Sequence, residues 1–192
     1  MIGRLLPLAM AGLLAACAET AAPPPGPSAG PAPPSGVPVA AGDPALAGDD
    51  LAGTVIARLH GADGKAYRAV SAKSAGGEVL LTGAVTKPVL RRRAEAAALG
   101  VPGVTGVHDS LFLAEDGALD RFLPDAARER AVAARLAGDP AAAGLGVRVV
   151  DGAAYLVGTV ASPADLAQVK TLLLADPDLK WVDTGAVAVT RR

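Results

Sequence analysis

From Gly77 onward, adding 75 to a residue number lays the second half of this chain on the first without a gap. The stretch Gly77, Glu78, Val79, Leu80, Leu81, Thr82, Gly83, Ala84, Val85 falls on Gly152, Ala153, Ala154, Tyr155, Leu156, Val157, Gly158, Thr159, Val160. Pro88 falls on Pro163, Pro102 on Pro177, Val104 on Leu179 and Val107 on Val182. A fixed offset of this kind means one supersecondary unit used twice. Upstream the match needs a short shift, with Leu51, Val55 and Leu59 answering a helical run over 125–136. Each unit then holds about 65 to 70 residues, near the lower limit for a domain that folds alone.

The two copies predict the same elements in the same order. A helix over 50–59 carries apolar residues at the helical spacing of Leu51, Val55 and Leu59. Alternating strands follow near 68–74 and 146–150, and Gly76-Gly77 and Asp151-Gly152 supply the chemistry of tight hairpin turns. The next strands run to Val85 and Val160, and the glycines inside them, Gly83 and Gly158, mark a close backbone approach or a bulge. Ser162, Pro163 and Asp165 form a helix start, with Ser at the cap and an acid in the first turn, so helices are expected over 163–174 and 88–99. Strands over 107–114 and 182–190 close the copies. The fold class expected is α+β: two tandem αββαβ modules, 49–115 and 120–192, each a small three-stranded mixed sheet with two helices on one face.

Ahead of the modules, a positively charged start up to Arg4 leads into an apolar run, 5–14, too short to span a bilayer but of signal-peptide length. It ends in Leu14, Ala15, Ala16 and Cys17, the only cysteine of the chain. These four residues resemble the bacterial lipobox, which implies a signal peptide over 1–16, cleavage before Cys17 and acylation of its sulfur and new amino group. Two lipid signals give stable anchoring, and three chains exceed that. Residues 17–48 then read as an acylated start followed by a disordered tether, since 18–48 holds nine of the sixteen prolines and almost no charge. With Cys17 consumed, no thiol is left for a disulfide or a thiolate metal site, so the modules must be held by packing. Aromatics make up only 3% of the chain, so the cores should be small and aliphatic.

The spacing in each copy resembles the BON domain family. The first copy shows the pattern in Gly77, Val79, Leu81, Gly83 and Val85, then Gly103, Val104, Val107, Asp109, Leu111 and Leu113. The second keeps Gly152, Leu156, Gly158 and Val160, but Asp178 stands where the turn glycine belongs and Thr184 replaces the Asn or Asp. Two tandem copies behind a lipobox are similar to dual-BON outer-membrane lipoproteins. That resemblance implies a non-enzymatic protein that binds phospholipid membranes and supports envelope integrity, anchored at the periplasmic face of the outer membrane. Ala18, in place of the Asp that retains such lipoproteins at the inner membrane, agrees with that location. The partners expected are the membrane, through its covalent lipid and anionic headgroups, and an envelope protein, but not nucleic acid. No cofactor is expected. The alternative is an interaction adaptor for an envelope assembly machine, with the lipid only as anchor.

Catalytic and metal chemistry find little support. His108, Asp109 and Ser110 hold the residue types of a hydrolase triad, but consecutive strand residues point to opposite faces. Asp109 should face the same way as Val107 and Leu111 and tie a loop. His60 is the only other histidine, a poor metal set. Gly100, Gly103 and Gly106 follow a helix instead of opening one, which argues against a phosphate loop. Surface candidates carry more weight. Arg91, Arg92 and Arg93 are the densest basic cluster, able to meet anionic headgroups, an acidic partner or the acidic second module. Trp181, the only tryptophan, should point away from the core side of Val182, toward either the other module or a membrane. In similar lipoproteins the lipid contact lies at the first helix of the second module. Here that corresponds to Arg121, Phe122 and Leu123 and the helix of Arg128, Arg130 and Arg135, where Asp125 and Glu129 dilute the positive field.

Overall fold

The structure, a computed structural model, describes residues 47–190. The signal peptide, Cys17 and nearly all of the expected tether lie outside the described residues. The first module runs α1 (Ala47–Asp63), β1 (Val70–Ala75), β2 (Glu78–Val85), α2 (Pro88–Leu99) and β3 (Gly106–Leu113). A 3-10 turn over Asp116–Phe122 leads into the second, α3 (Ala126–Ala137), a short 3-10 turn over Pro140–Ala142, β4 (Leu145–Val150), β5 (Ala153–Val160), α4 (Pro163–Leu174) and β6 (Trp181–Val189). Each module is a three-stranded sheet in sequence order, its hairpin antiparallel and its last strand parallel to the middle one. The expected class, α+β in two αββαβ modules, is the observed one.

Local chemistry accounts for the elements. Gly76 and Gly77 at φ 60° and 89°, and Asp151 and Gly152 at 47° and 76°, are the positive-φ pairs that a two-residue hairpin needs to follow strand twist. Gly83 and Gly158 are required by a close approach: a Cβ there would sit 1.9 Å from the Ala69 carbonyl oxygen and 2.1 Å from that of Gly144. At the start of α4 the Ser162 hydroxyl accepts from the Asp165 N–H at 3.1 Å, whereas Lys87 before α2 makes no side-chain cap.

Alternation divides each sheet into two faces. Val79, Leu81, Val85 and Leu111 meet Val55 and Leu59 of α1 and Ala94 and Ala98 of α2 in one aliphatic core. Ala154, Leu156 and Val182 meet Val132 and Leu136 of α3 and Val169 and Leu173 of α4 in its counterpart. The other faces are not left to water. Leu80, Val150, Ala153, Tyr155, Val157 and Ala186 form a third buried cluster, so the two sheets pack back to back between outer pairs of helices. The central strands β2 and β5 are consequently buried on both sides. Arg148 of β4 crosses this seam: its Nη2 donates to the Ala72 carbonyl of β1 at 2.7 Å, while its Nη1 lies 3.1 Å from Glu129.

The gap-free offset of 75 fails inside the last strand. β2 and β3 pair in unbroken register, but β5 and β6 shift between Tyr155, opposite Asp183, and Val157, opposite Ala186. One extra residue near Thr184 and Gly185 bulges β6, so that Ala186 faces the seam and Val187 faces the helix core. The first helix is also longer than expected, beginning at Ala47 and ending at Asp63.

Candidate functional site

The basic cluster of α2 is split by its surroundings. The Arg91 guanidinium donates from Nε to Asp109 Oδ2 at 2.5 Å, and its Nη2 reaches the Asp109 carbonyl at 3.4 Å. The other oxygen of Asp109 accepts the Leu111 N–H at 2.9 Å. Asp109 therefore faces the helix side as its alternation implies, but it fastens α2 to β3 instead of tying a loop. Arg92 and Arg93 are exposed and form no ion pair among the described residues. Arg93 joins Lys65 and Lys87 around a cavity of about 310 Å³ floored by Val89, Leu90 and Leu119. Of its two carboxylates, Asp116 is paired with Arg68 at 2.8 Å, which holds its carboxyl below the usual range, while Asp63 accepts the Ala66 N–H and makes no ion pair among the described residues, so the three cations outnumber the one unpaired carboxylate.

The residues opening the second module sit differently. Arg121, Phe122 and Leu123 lie at the end of the 3-10 turn that precedes α3, not on the helix. Arg121 is 3.7 Å from Asp151 and 5.9 Å from the centre of the Phe122 ring. Phe122 packs against the seam cluster and against a smaller buried cluster of Ala69, Ala84 and Leu119, and stacks on Phe112 at 5.5 Å, while Leu123 is exposed. On α3, Arg128 lies 2.9 Å from Asp178 and 3.7 Å from Asp125, and Arg135 lies 3.2 Å from Asp176. Arg130 only donates back to the Ala126 carbonyl. Two of the three α3 guanidiniums, Arg128 and Arg135, are thus set against three carboxylates, two of them, Asp176 and Asp178, from the loop before β6.

Trp181 stands on the seam side of β6, edge-on to Tyr155 at 5.3 Å, with 41% of its surface still exposed. It therefore packs between the modules and keeps a free face. The triad residue types do not assemble: His108 Nε2 meets Glu78 at 3.1 Å, while Asp109 is engaged by Arg91. Among the described residues no group of His, Cys, Asp and Glu could hold a metal ion, and no helix is long and apolar enough to cross a membrane. Sequence reasoning missed Lys65, which is far from Arg93 in sequence, Lys87, which stands just before the first turn of the same helix, and Phe112, whose strand position gives no sign that its outer face stays open.

A fold of two αββαβ modules with this glycine and aliphatic spacing has a family match. The BON domain model covers residues 48–114 and 124–180, more than half of the chain, and the chain belongs to the BON domain family. No curated protein matches it. Among solved structures it is similar to the C-terminal domain of CdsD, the structural protein of the type III secretion system of Chlamydia trachomatis, at 15% identity and a TM-score of 0.29. That alignment covers 71% of this chain and 63% of the other, so the chain spans less than two thirds of that relative. A second CdsD structure aligns at 13% identity and a TM-score of 0.30, covering 70% and 91%. Superpositions this loose carry no argument about function.

Proposed function

We propose that this chain is a non-catalytic, lipid-anchored envelope protein at the periplasmic face of the outer membrane, whose modules bind anionic phospholipid and support the integrity of that membrane. Cys17 in its lipobox-like setting supports the anchor, and membership of the BON family supports the envelope setting. One observation carries the headgroup contact: Lys65, Lys87 and Arg93 share a cavity and none has an ion pair among the described residues. In the second module Arg121, Arg128, Arg135, Arg148 and Lys180 are paired with carboxylates, and the two cations without an ion pair among the described residues, Arg130 and Lys170, lie on different helices and share no cavity with each other. A cation already matched by a carboxylate adds little field at a membrane, whereas a free one contributes about 1 kcal/mol. Val89, 37% exposed beside the cavity, offers an apolar contact below the headgroups.

The test uses the chain from residue 17 onward, without the 1–16 signal peptide and with Cys17→Ala, so that neither the acyl anchor nor the apolar run contributes and the modules bind alone. It should sediment with phosphatidylglycerol vesicles, bind neutral vesicles less, and release as salt shortens the Debye length below about 8 Å. Adding Lys87→Gln and Arg93→Gln together should lower partitioning roughly 30-fold, about 1 kcal/mol for each cation. Arg128→Gln should change it little. Equal binding to neutral vesicles, or no loss in the double variant, rejects this reading. The adaptor alternative is favoured by a different surface, the aromatic groove at the seam.

A further inference from the structure

Four of the five aromatic side chains in this chain, Phe112, Phe122, Tyr155 and Trp181, gather at the seam between the sheets. Where β1 meets β4 and β5 the seam is closed by Arg148 and the buried cluster. Between β3 and β6 it leaves a groove of about 420 Å³. Phe112 and Trp181, each 41% exposed, and Leu113, 52% exposed, form its apolar walls. Tyr155 also lines it and is only 1% exposed, yet its hydroxyl has no hydrogen-bond partner among the described residues. The hydroxyl is not one of the fully buried unpartnered atoms, so it keeps access through the groove, and an acceptor that enters the groove can take its hydrogen bond in place of water. Burial, with the nearby Asp183 and Asp151 carboxylates adding to it, keeps that phenol protonated and so a donor.

Charge narrows what can fill the groove. Arg91 lines one side but is neutralised by Asp109. Asp183 lines it too; its Oδ1 accepts the Gly185 N–H at 2.8 Å, and the carboxylate makes no ion pair among the described residues. The unmatched charge is therefore negative and calls for a cation.

We propose that this groove docks an extended, proline-containing segment of a partner protein, with a lysine or arginine of that segment on Asp183 and one of its backbone carbonyls accepting from the Tyr155 hydroxyl. A polyproline-type chain makes no internal hydrogen bonds, so its carbonyls are free to accept, and its rings pack on aromatic faces with little entropy left to lose. An acyl chain in the same place would bury the Tyr155 hydroxyl and Asp183 without partners, a costly desolvation. Addition of a strand is opposed on both sides, by the bulge in β6 and by Arg91 on the Asp109 carbonyl at the edge of β3. The proposal is independent of the headgroup cavity.

Trp181, the only tryptophan, reports on the groove directly. The chain from residue 17 onward, with Cys17→Ala, is titrated with a short synthetic peptide of proline and leucine ending in arginine, following indole emission and acrylamide quenching. Saturable blue-shifted emission with reduced quenching is expected. The same peptide ending in glutamate should bind roughly ten-fold more weakly, a preference that Asp183→Asn removes. Tyr155→Phe deletes one hydrogen bond without disturbing any present in the free protein, and should weaken binding roughly five-fold with the thermal midpoint at neutral pH unchanged. Equal binding of both peptides, or no effect of Tyr155→Phe, overturns the proposal. So does a blue shift produced by phosphatidylglycerol vesicles and not by peptide, which would make the groove a membrane face.

Discussion

At the scale of single residues, Tyr155 shows how one side chain serves packing and chemistry together. It sits in the seam cluster under the edge of Trp181, and burial pushes its phenol up to about 12. The unfolded chain begins to ionise this phenol near the ordinary value of about 10. The folded state holds the proton longer, so the stability that comes from keeping Tyr155 neutral is complete below that value and is lost as pH rises through about 12. Urea midpoints measured between about pH 9 and pH 12 should fall steeply in the native chain and less steeply in Tyr155→Phe, with Tyr67, also raised by burial, leaving a residual slope. Identical slopes would mean that the phenol is not held neutral by the seam. Nothing in the sequence marks the face of Tyr155, or that of its repeat mate Leu80, as covered, because alternation says which face a residue takes but not what covers that face. Trp181 was legible to the same depth: its side of β6 followed from Val182, while the aromatic company it keeps comes from β3 and β5. Arg91 is a sharper case, since three consecutive arginines read as one patch until Asp109 removes the first of them.

At the scale of elements, the helices that opened with explicit signals were the most legible. Those expected over 88–99 and 163–174 occupy those residues, because proline is tolerated only in the first turn and ends any uncertainty about where the helix begins. The two starts differ in one respect. Ser162 caps α4 by accepting the Asp165 N–H, and its hydroxyl also lies 2.8 Å from Asp165 Oδ2, while Lys87 contributes no cap to α2. Ser162→Ala should therefore cost about 1 kcal/mol in denaturant unfolding, and Lys87→Ala should cost almost nothing. Equal losses would show that the Ser162 contact does not stabilise the helix. The 3-10 turn over Asp116–Phe122 escaped the sequence reading because it has no period longer than its own length, and the β6 bulge escaped because one inserted residue hides within an otherwise matching repeat.

At the scale of the whole molecule, the repeat suggested two separate modules, and their number and internal order are right. Their dependence on each other could not be read from either copy alone. A face that alternates between apolar and small residues, Leu80, Thr82 and Ala84 in β2 or Ala153, Tyr155 and Val157 in β5, could face water in a lone sheet as easily as a second sheet. Here Leu80 is covered by Tyr155 and its neighbours in the second sheet, and Ala84 by Leu119 of the 3-10 turn between the modules, so each module borrows part of its core from beyond itself. Modules of this size bury too little surface to be comfortably stable alone, and the seam supplies what each lacks. Leu80, 1% exposed, lies in the seam cluster and belongs to the first module, while most of its neighbours there belong to the second. Leu80→Ala should cost about 2 to 4 kcal/mol through lost burial and the cavity left behind. The loss should appear in both modules at once, as a single cooperative transition shifted to lower denaturant, with amide exchange in β5 accelerated alongside that in β2. If exchange rises only in residues 47–115, or if unfolding splits into two steps with the second module unaffected, the sheets touch without stabilising each other and the modules act as independent domains.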